Sequence, residues 1–241
     1  MRHIPNIITS LNILSGCISI ILAFENNLFL ASIFIIIAAA FDFFDGFSAR
    51  LLKAYSEIGK QLDSLADMIS FGLAPSVIVF SLILKSLNIN TFSFELPIYQ
   101  IFLSLLAFLI TVFSGLRLAK FNIDTRQTVS FIGLPTPANA IFIASLPIIL
   151  FYNEDSVFAT IIENVYFLEL LVVIFSFLLV SEIEMFSLKF KTYNFGENKL
   201  RYLFLLISIL TIFIFKSISI PIIIIIYIIL SVLNSYLLKQ K

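Results

Sequence analysis

Apolar residues run along this chain in stretches that approach bilayer thickness, and the polar positions fall between them in short clusters. A helix of about twenty apolar residues spans the roughly 30 Å hydrocarbon layer. On that measure the pattern predicts eight helices, at Leu11–Phe24, Leu28–Phe47, Leu62–Leu84, Ile98–Leu118, Pro135–Tyr152, Val165–Phe186, Tyr202–Phe215 and Ile218–Leu238. The first and seventh are short and need polar or aromatic flanks to complete a crossing. No polar stretch is long enough to fold as a separate unit, so the expectation is a single all-α integral membrane domain over residues 1–241. Met1 to Asn12 is short and mixed and lacks a small-residue cleavage site behind a clean apolar run, so the first span is expected to be retained.

Composition agrees with the pattern: 60% of residues are hydrophobic and 12% charged, with a formal net charge of zero. Alternating the eight spans from a cytoplasmic N-terminus puts 13 of the Lys and Arg residues on that side and leaves Lys85 and Lys216 on the other. The positive-inside rule therefore predicts that both termini are cytoplasmic, in a cell's inner membrane. The basic residues are scattered, which gives no basis for nucleic-acid binding. Cys17 is the one cysteine, so no internal disulfide forms, and it reads as a small apolar filler.

Against this background stands the run from Asp42 to Asp67: Asp42, Asp45, Gly46, Ala49 and Arg50, then eight residues, then Gly59, Asp63 and Asp67. Carboxylates in membrane-spanning segments are costly and mark function by default. Residues three and four apart share a helix face, so the run forms two stripes joined by a short turn. Facing each other, four aspartates suit a hard divalent cation, Mg²⁺ or Mn²⁺. The small residues let helices approach closely or leave room for a flat ligand. The same aspartates also suit a proton or cation path through a transporter.

The run resembles, at every defined position, the signature of the CDP-alcohol phosphatidyltransferase family, with eight fixed positions in twenty-six residues. The resemblance implies a membrane enzyme that displaces CMP from a CDP-linked lipid with an alcohol, assisted by divalent metal, with two ions expected. Carried over, it makes Asp42, Asp45 and Asp63 metal ligands. It makes Asp67 the catalytic base, which also touches a metal. Gly46, Ala49 and Gly59 adjoin the cytidine nucleotide, and Arg50 holds a phosphate or a motif carboxylate; alone, Arg50 also reads as a snorkelling helix-end charge. Asn6, Thr9 and Asn12 resemble the family's opening helix and face the nucleotide, with capping and interfacial roles as the alternative. Homodimerisation is likewise implied.

The likeness extends to the serine-accepting branch of the family, through Gln61 to Pro75, Ser114 to Asn122 and Phe131 to Asn139. It implies that CDP-diacylglycerol and L-serine are substrates and CMP a product, with glycerol phosphate or inositol phosphate as the alternative acceptors. Arg117, Lys120 and Asn122 are the candidate serine-binding residues, Arg117 holding the carboxylate in two-point fashion, with Asn139 nearby. Arg117, Lys120 and Arg126 also satisfy the positive-inside rule without any ligand. Lys189 to Arg201 suits anionic headgroups or orientation alone. The last two helices carry no motif and read as scaffold.

Overall fold

The computed structural model describes residues 3–124, 131–187, 194–196 and 198–239. Arg2, Arg126, Lys189, Lys191 and Lys241, all counted in the charge argument, lie outside them. The all-helical expectation holds. α1 is Ile4–Phe24 and α2 Leu28–Leu51. α3 (Glu57–Asp67), a wide π turn (Met68–Leu73) and α4 (Ala74–Ser86) form one continuous rod. α5 (Ile98–Leu106) and α6 (Leu109–Ile123) form another. Then come α7 (Thr136–Tyr152), the short α8 (Val157–Ile162), α9 (Val165–Val180), α10 (Lys199–Phe215) and α11 (Ser219–Lys239).

Five described helical stretches are long and apolar enough to cross a membrane, and α7 and α9 are apolar but shorter. The chain is a multi-pass membrane protein. The last of the five, Lys199–Tyr236, has 38 residues. At about 57 Å it is too long for one crossing of a roughly 30 Å layer. It breaks at Lys216, whose φ of 47° and ψ of −116° separate α10 from α11.

Three helix ends share one device. After α1, α2 and α4 the chain turns through a left-handed residue, Asn26 (φ 60°), Lys53 (φ 51°) and Asn88 (φ 56°). In each, the next N–H reaches back five residues, Asn27 to Leu22 O at 2.9 Å, Ala54 to Ala49 O at 3.0 Å and Ile89 to Leu84 O at 2.9 Å. This closes the open carbonyls of the last turn. Asn tolerates that conformation and Lys does so at a cost.

The α3–α4 rod is the most buried of the long helices and forms the centre of the bundle. Hydroxyls stitch neighbours to it and to each other: Ser19 Oγ donates to Ala31 O at 2.8 Å, Ser70 Oγ to Asn12 O at 3.0 Å, and Thr111 Oγ1 to Ser76 Oγ at 2.7 Å. In lipid such bonds contribute about 0.6 kcal/mol each on average, and close packing does the rest. α1 comes so near the π turn that a Cβ on Gly16 would collide with Ser70.

One expected span is corrected. The apolar run starting at Val165 stops being helix at Val180 and does not reach Phe186. Ser181 is extended (ψ 150°), and Glu184–Met185 (β2) pairs antiparallel with Phe131–Ile132 (β1). From Glu182 to Met185 polar and apolar residues alternate, the period of a strand, and mean apolarity hid that change. Gly133 (φ 76°) donates its N–H to Ile183 O at 2.9 Å, and Leu134 N–H bonds Leu178 O at 2.9 Å. A side chain at 133 would strike Leu179 O.

Candidate active site

Asp42 and Asp45 lie near the end of α2, and Gly59, Asp63 and Asp67 on α3, which returns antiparallel after the turn at Lys53. Ser56 fixes the start of α3 by accepting from Gly59 N–H at 3.0 Å. One oxygen each from Asp42, Asp63 and Asp67 then lies within 4.8 Å of the others. Two unit charges that close repel by about 3.5 kcal/mol at an effective dielectric near 20, so such a cluster needs positive charge beside it.

Asp45 stands outside that triad. It is 5% exposed, within hydrogen-bonding reach of Thr9 and near enough to Asp63 to interact electrostatically. Asp45 Oδ2 and Asp67 Oδ1 are both buried with no hydrogen-bond partner among the described residues. Orphaned anionic oxygens beside a carboxylate triad fit a hard divalent cation. Immediately after Asp67 the helix widens into the π turn, a device common at functional sites. Its sequence signal was Pro75: the ring has no N–H for Phe71 O, four residues back, and an ordinary helix would clash there.

Beside the carboxylates opens a cleft of about 270 Å³. The candidate nucleotide residues Asn6, Thr9, Gly46, Ala49, Arg50 and Gly59 all line it, and Asp45 and Asp63 form part of its wall. Gly59 is there for approach: a Cβ would sit 3.0 Å from Asn6 Oδ1 and 2.9 Å from Ser56 Oγ. At Gly46 a Cβ would meet only Arg50 Nη1, at 3.7 Å, so the space in front of it belongs to the cleft. Tyr55, Ser56 and Lys60 also line it. Sequence reasoning passed over them because they occupy the spacer and a position without a fixed identity in the signature.

The candidate acceptor residues divide. Arg117 and Lys120 line a second cleft of about 320 Å³. Arg117 is 7% exposed; its Nη1 donates to Thr136 Oγ1 at 3.3 Å, its guanidinium lies 5.8 Å from the Phe121 ring centre, and it is near enough to Asp67 to interact electrostatically. Asn122 is elsewhere: its Nδ2 bonds Ser64 Oγ at 3.0 Å and ties α6 to α3. Asn12 and Asn139 are fully buried, with side-chain amides that have no hydrogen-bond partner among the described residues, and line neither cleft. Tyr227, on α11, interacts electrostatically with Arg117 and donates to Phe186 O at 3.1 Å. A helix that read as scaffold thus reaches Arg117, and no periodicity in α11 signalled it.

The model of the family described as CDP-alcohol phosphatidyltransferase matches residues 2–174. The chain belongs to the CDP-alcohol phosphatidyltransferase family. The chain is 38% identical over 137 residues to the CDP-diacylglycerol–serine O-phosphatidyltransferase of Bacillus subtilis, covering 57% of this chain and 71% of that protein. It is 35% identical over 155 residues to the archaetidylserine synthase of Methanothermobacter thermautotrophicus, covering 64% and 61%. Against the CDP-diacylglycerol–serine O-phosphatidyltransferase of Helicobacter pylori strain 26695 it is 33% identical over 141 residues, covering 58% and 54%. The CDP-alcohol phosphatidyltransferase match contains α1 to α7 and with them both the triad and the cleft of Gly46 and Gly59; it ends within α9.

Proposed function

We propose that this chain transfers the phosphatidyl group of CDP-diacylglycerol to the hydroxyl of L-serine, giving phosphatidylserine and CMP. The observation that carries the reading is the meeting of the Asp42, Asp63 and Asp67 triad with the cleft lined by the signature's small residues. The names of the relatives supply the acceptor.

In this reading the cytidine lies against Gly46, Ala49 and Gly59, with Asn6 and Thr9 from α1 as its polar edge and Arg50 on a phosphate. Asp42, Asp45, Asp63 and Asp67 would hold two Mg²⁺ or Mn²⁺ ions, which when bound screen the pyrophosphate and stabilise the departing phosphate charge. The serine Oγ attacks the phosphorus of the phosphatidyl group in line; the new O–P bond forms as the P–O bond to CMP breaks. Asp67 accepts the hydroxyl proton late in the displacement, when a positioned carboxylate suffices as base. Arg117 holds the serine carboxylate beside Asp67.

The reading places the chain in a cell's inner membrane in eight crossings, with both termini and the carboxylates cytoplasmic, following the 13 to 2 division of basic residues. The family likeness carries the homodimer. The test is CMP release by purified protein given CDP-diacylglycerol and Mg²⁺ or Mn²⁺, with the lipid product identified by mass. Serine-dependent phosphatidylserine supports the reading. Turnover only with glycerol 3-phosphate or inositol phosphate assigns another acceptor, and no CMP with any alcohol overturns transfer itself.

A further inference from the structure

The second cleft carries more than the two cations that sequence reasoning placed there. Asp124 at the end of α6 and Glu182 in the α9–β2 connection line it together with Arg117 and Lys120. Among the described residues, two positive and two negative side chains therefore line these roughly 320 Å³. Arg117 is buried, and its Nε has no hydrogen-bond partner among the described residues, which leaves it as a donor at this wall. Glu182 is exposed, and the backbone on either side of it is pinned. Gly133 N–H bonds Ile183 O at 2.9 Å, Leu134 N–H bonds Leu178 O at 2.9 Å, and β1 pairs with β2 directly after it. The segment bearing Glu182 lies beyond residue 174, where the family match ends.

We propose that Glu182 is a specificity-determining residue that binds the α-ammonium of the acceptor amino acid, with Asp124 reinforcing the negative wall. The inference rests on the reading of the chain as a phosphatidyl transferase to serine. A zwitterion presents one carboxylate and one ammonium on adjacent atoms, and a cleft of balanced charge satisfies both through charge-assisted bonds. An acceptor bearing a phosphate brings about −1.5 to −2 charges and no cation, so the same carboxylates repel it. Of the four charged residues of this cleft, only Glu182 lies beyond the stretch that the family match covers.

The test compares L-serine with 3-hydroxypropanoate, which keeps the hydroxyl and carboxylate but lacks the ammonium, as acceptors for wild type, Glu182→Gln, Glu182→Asp and Asp124→Asn. Glu182→Gln is expected to raise KM for L-serine at least tenfold, with kcat and the KM for CDP-diacylglycerol held within about threefold. The preference for L-serine over 3-hydroxypropanoate should fall by the same factor, with part of it kept in Glu182→Asp and a smaller loss in Asp124→Asn. A purely structural role would lower both acceptors together. Wild type that uses serine, paired with a Glu182→Gln variant of unchanged preference, overturns this inference and leaves the function standing. Wild type that uses only a phosphorylated acceptor overturns both.

Discussion

The amide oxygen of Asn6 lies 3.0 Å from the place a Cβ on residue 59 would occupy, so the absence of a side chain at Gly59 is what lets α1 close against α3. The same Cβ would press on Ser56 Oγ at 2.9 Å, the atom that caps α3. Gly59→Ala must therefore displace either a wall of the 270 Å³ cleft or the cap. The expected outcome is an increase of about tenfold in KM for CDP-diacylglycerol, equivalent to about 1.4 kcal/mol. Initial rates of CMP release across lipid concentrations check it. An unchanged KM would show that the cleft is not where the nucleotide sits.

The three aspartates of the triad should not respond alike. Asp67→Asn is expected to cut turnover by about 10²- to 10⁴-fold, the usual range for a general base, while CDP-diacylglycerol still binds. Asp42→Asn and Asp63→Asn, which remove members of the triad, should weaken metal-dependent binding of the donor as well. Chelation by EDTA should abolish turnover in the parent protein, with recovery on adding Mg²⁺ or Mn²⁺. Calorimetry of CDP-diacylglycerol binding beside the rate assay separates the roles. Equal loss of binding in all three variants would remove the distinction between base and ligand.

Much of this site was legible before any coordinates, because its chemistry is written at helical spacing. Asp42 with Asp45 and Gly59 with Asp63 and Asp67 lie on elements whose geometry follows from sequence offsets of three and four. The helices were legible for the same reason: membrane crossing demands continuous apolarity, and α2, α7 and α11 kept it. What escaped was tertiary. The helix expected to reach Phe186 is cut short where β2 pairs with the distant β1 strand Phe131–Ile132, a partner that the local alternation from Glu182 to Met185 does not name. The approach of Tyr227 to Arg117 joins residues more than a hundred positions apart. Asn122 has the polarity of a ligand contact, yet its partner proved to be Ser64.

Gly16 tests the packing that positions Asp67. A Cβ there would lie 2.9 Å from Ser70 Cα, a backbone atom within the π turn, and would collide with Ser70 Oγ. At Gly72 the obstacles are side chains, Ser114 Cβ at 3.2 Å and Met68 Sδ at 3.4 Å. Side chains move more readily than a buried backbone. Gly16→Ala should therefore destabilise by about 1–3 kcal/mol, the range for overpacking, and Gly72→Ala by less. Thermal unfolding in detergent gives the order, and equal midpoints would argue that α1 shifts freely against the π turn.

Lys53 should respond in the opposite direction. It holds φ at 51°, and its N–H donates to Arg50 O at 3.3 Å while Ala54 N–H donates to Ala49 O at 3.0 Å, the two bonds that end α2. An L-residue there costs about 1–2 kcal/mol relative to right-handed backbone. Glycine removes that cost but brings about 0.5–1 kcal/mol of extra unfolded-state entropy. The two terms leave a net gain of about 0.5–1 kcal/mol for Lys53→Gly, while Lys53→Val, branched at Cβ, should lose stability. Because Lys53 lines neither cleft, the rate of CMP release per folded molecule should stay unchanged in Lys53→Gly. A higher midpoint with unaltered turnover would establish that the turn between the two aspartate stripes is held by backbone geometry. A fall in turnover would mean that the lysine charge itself serves the anionic donor.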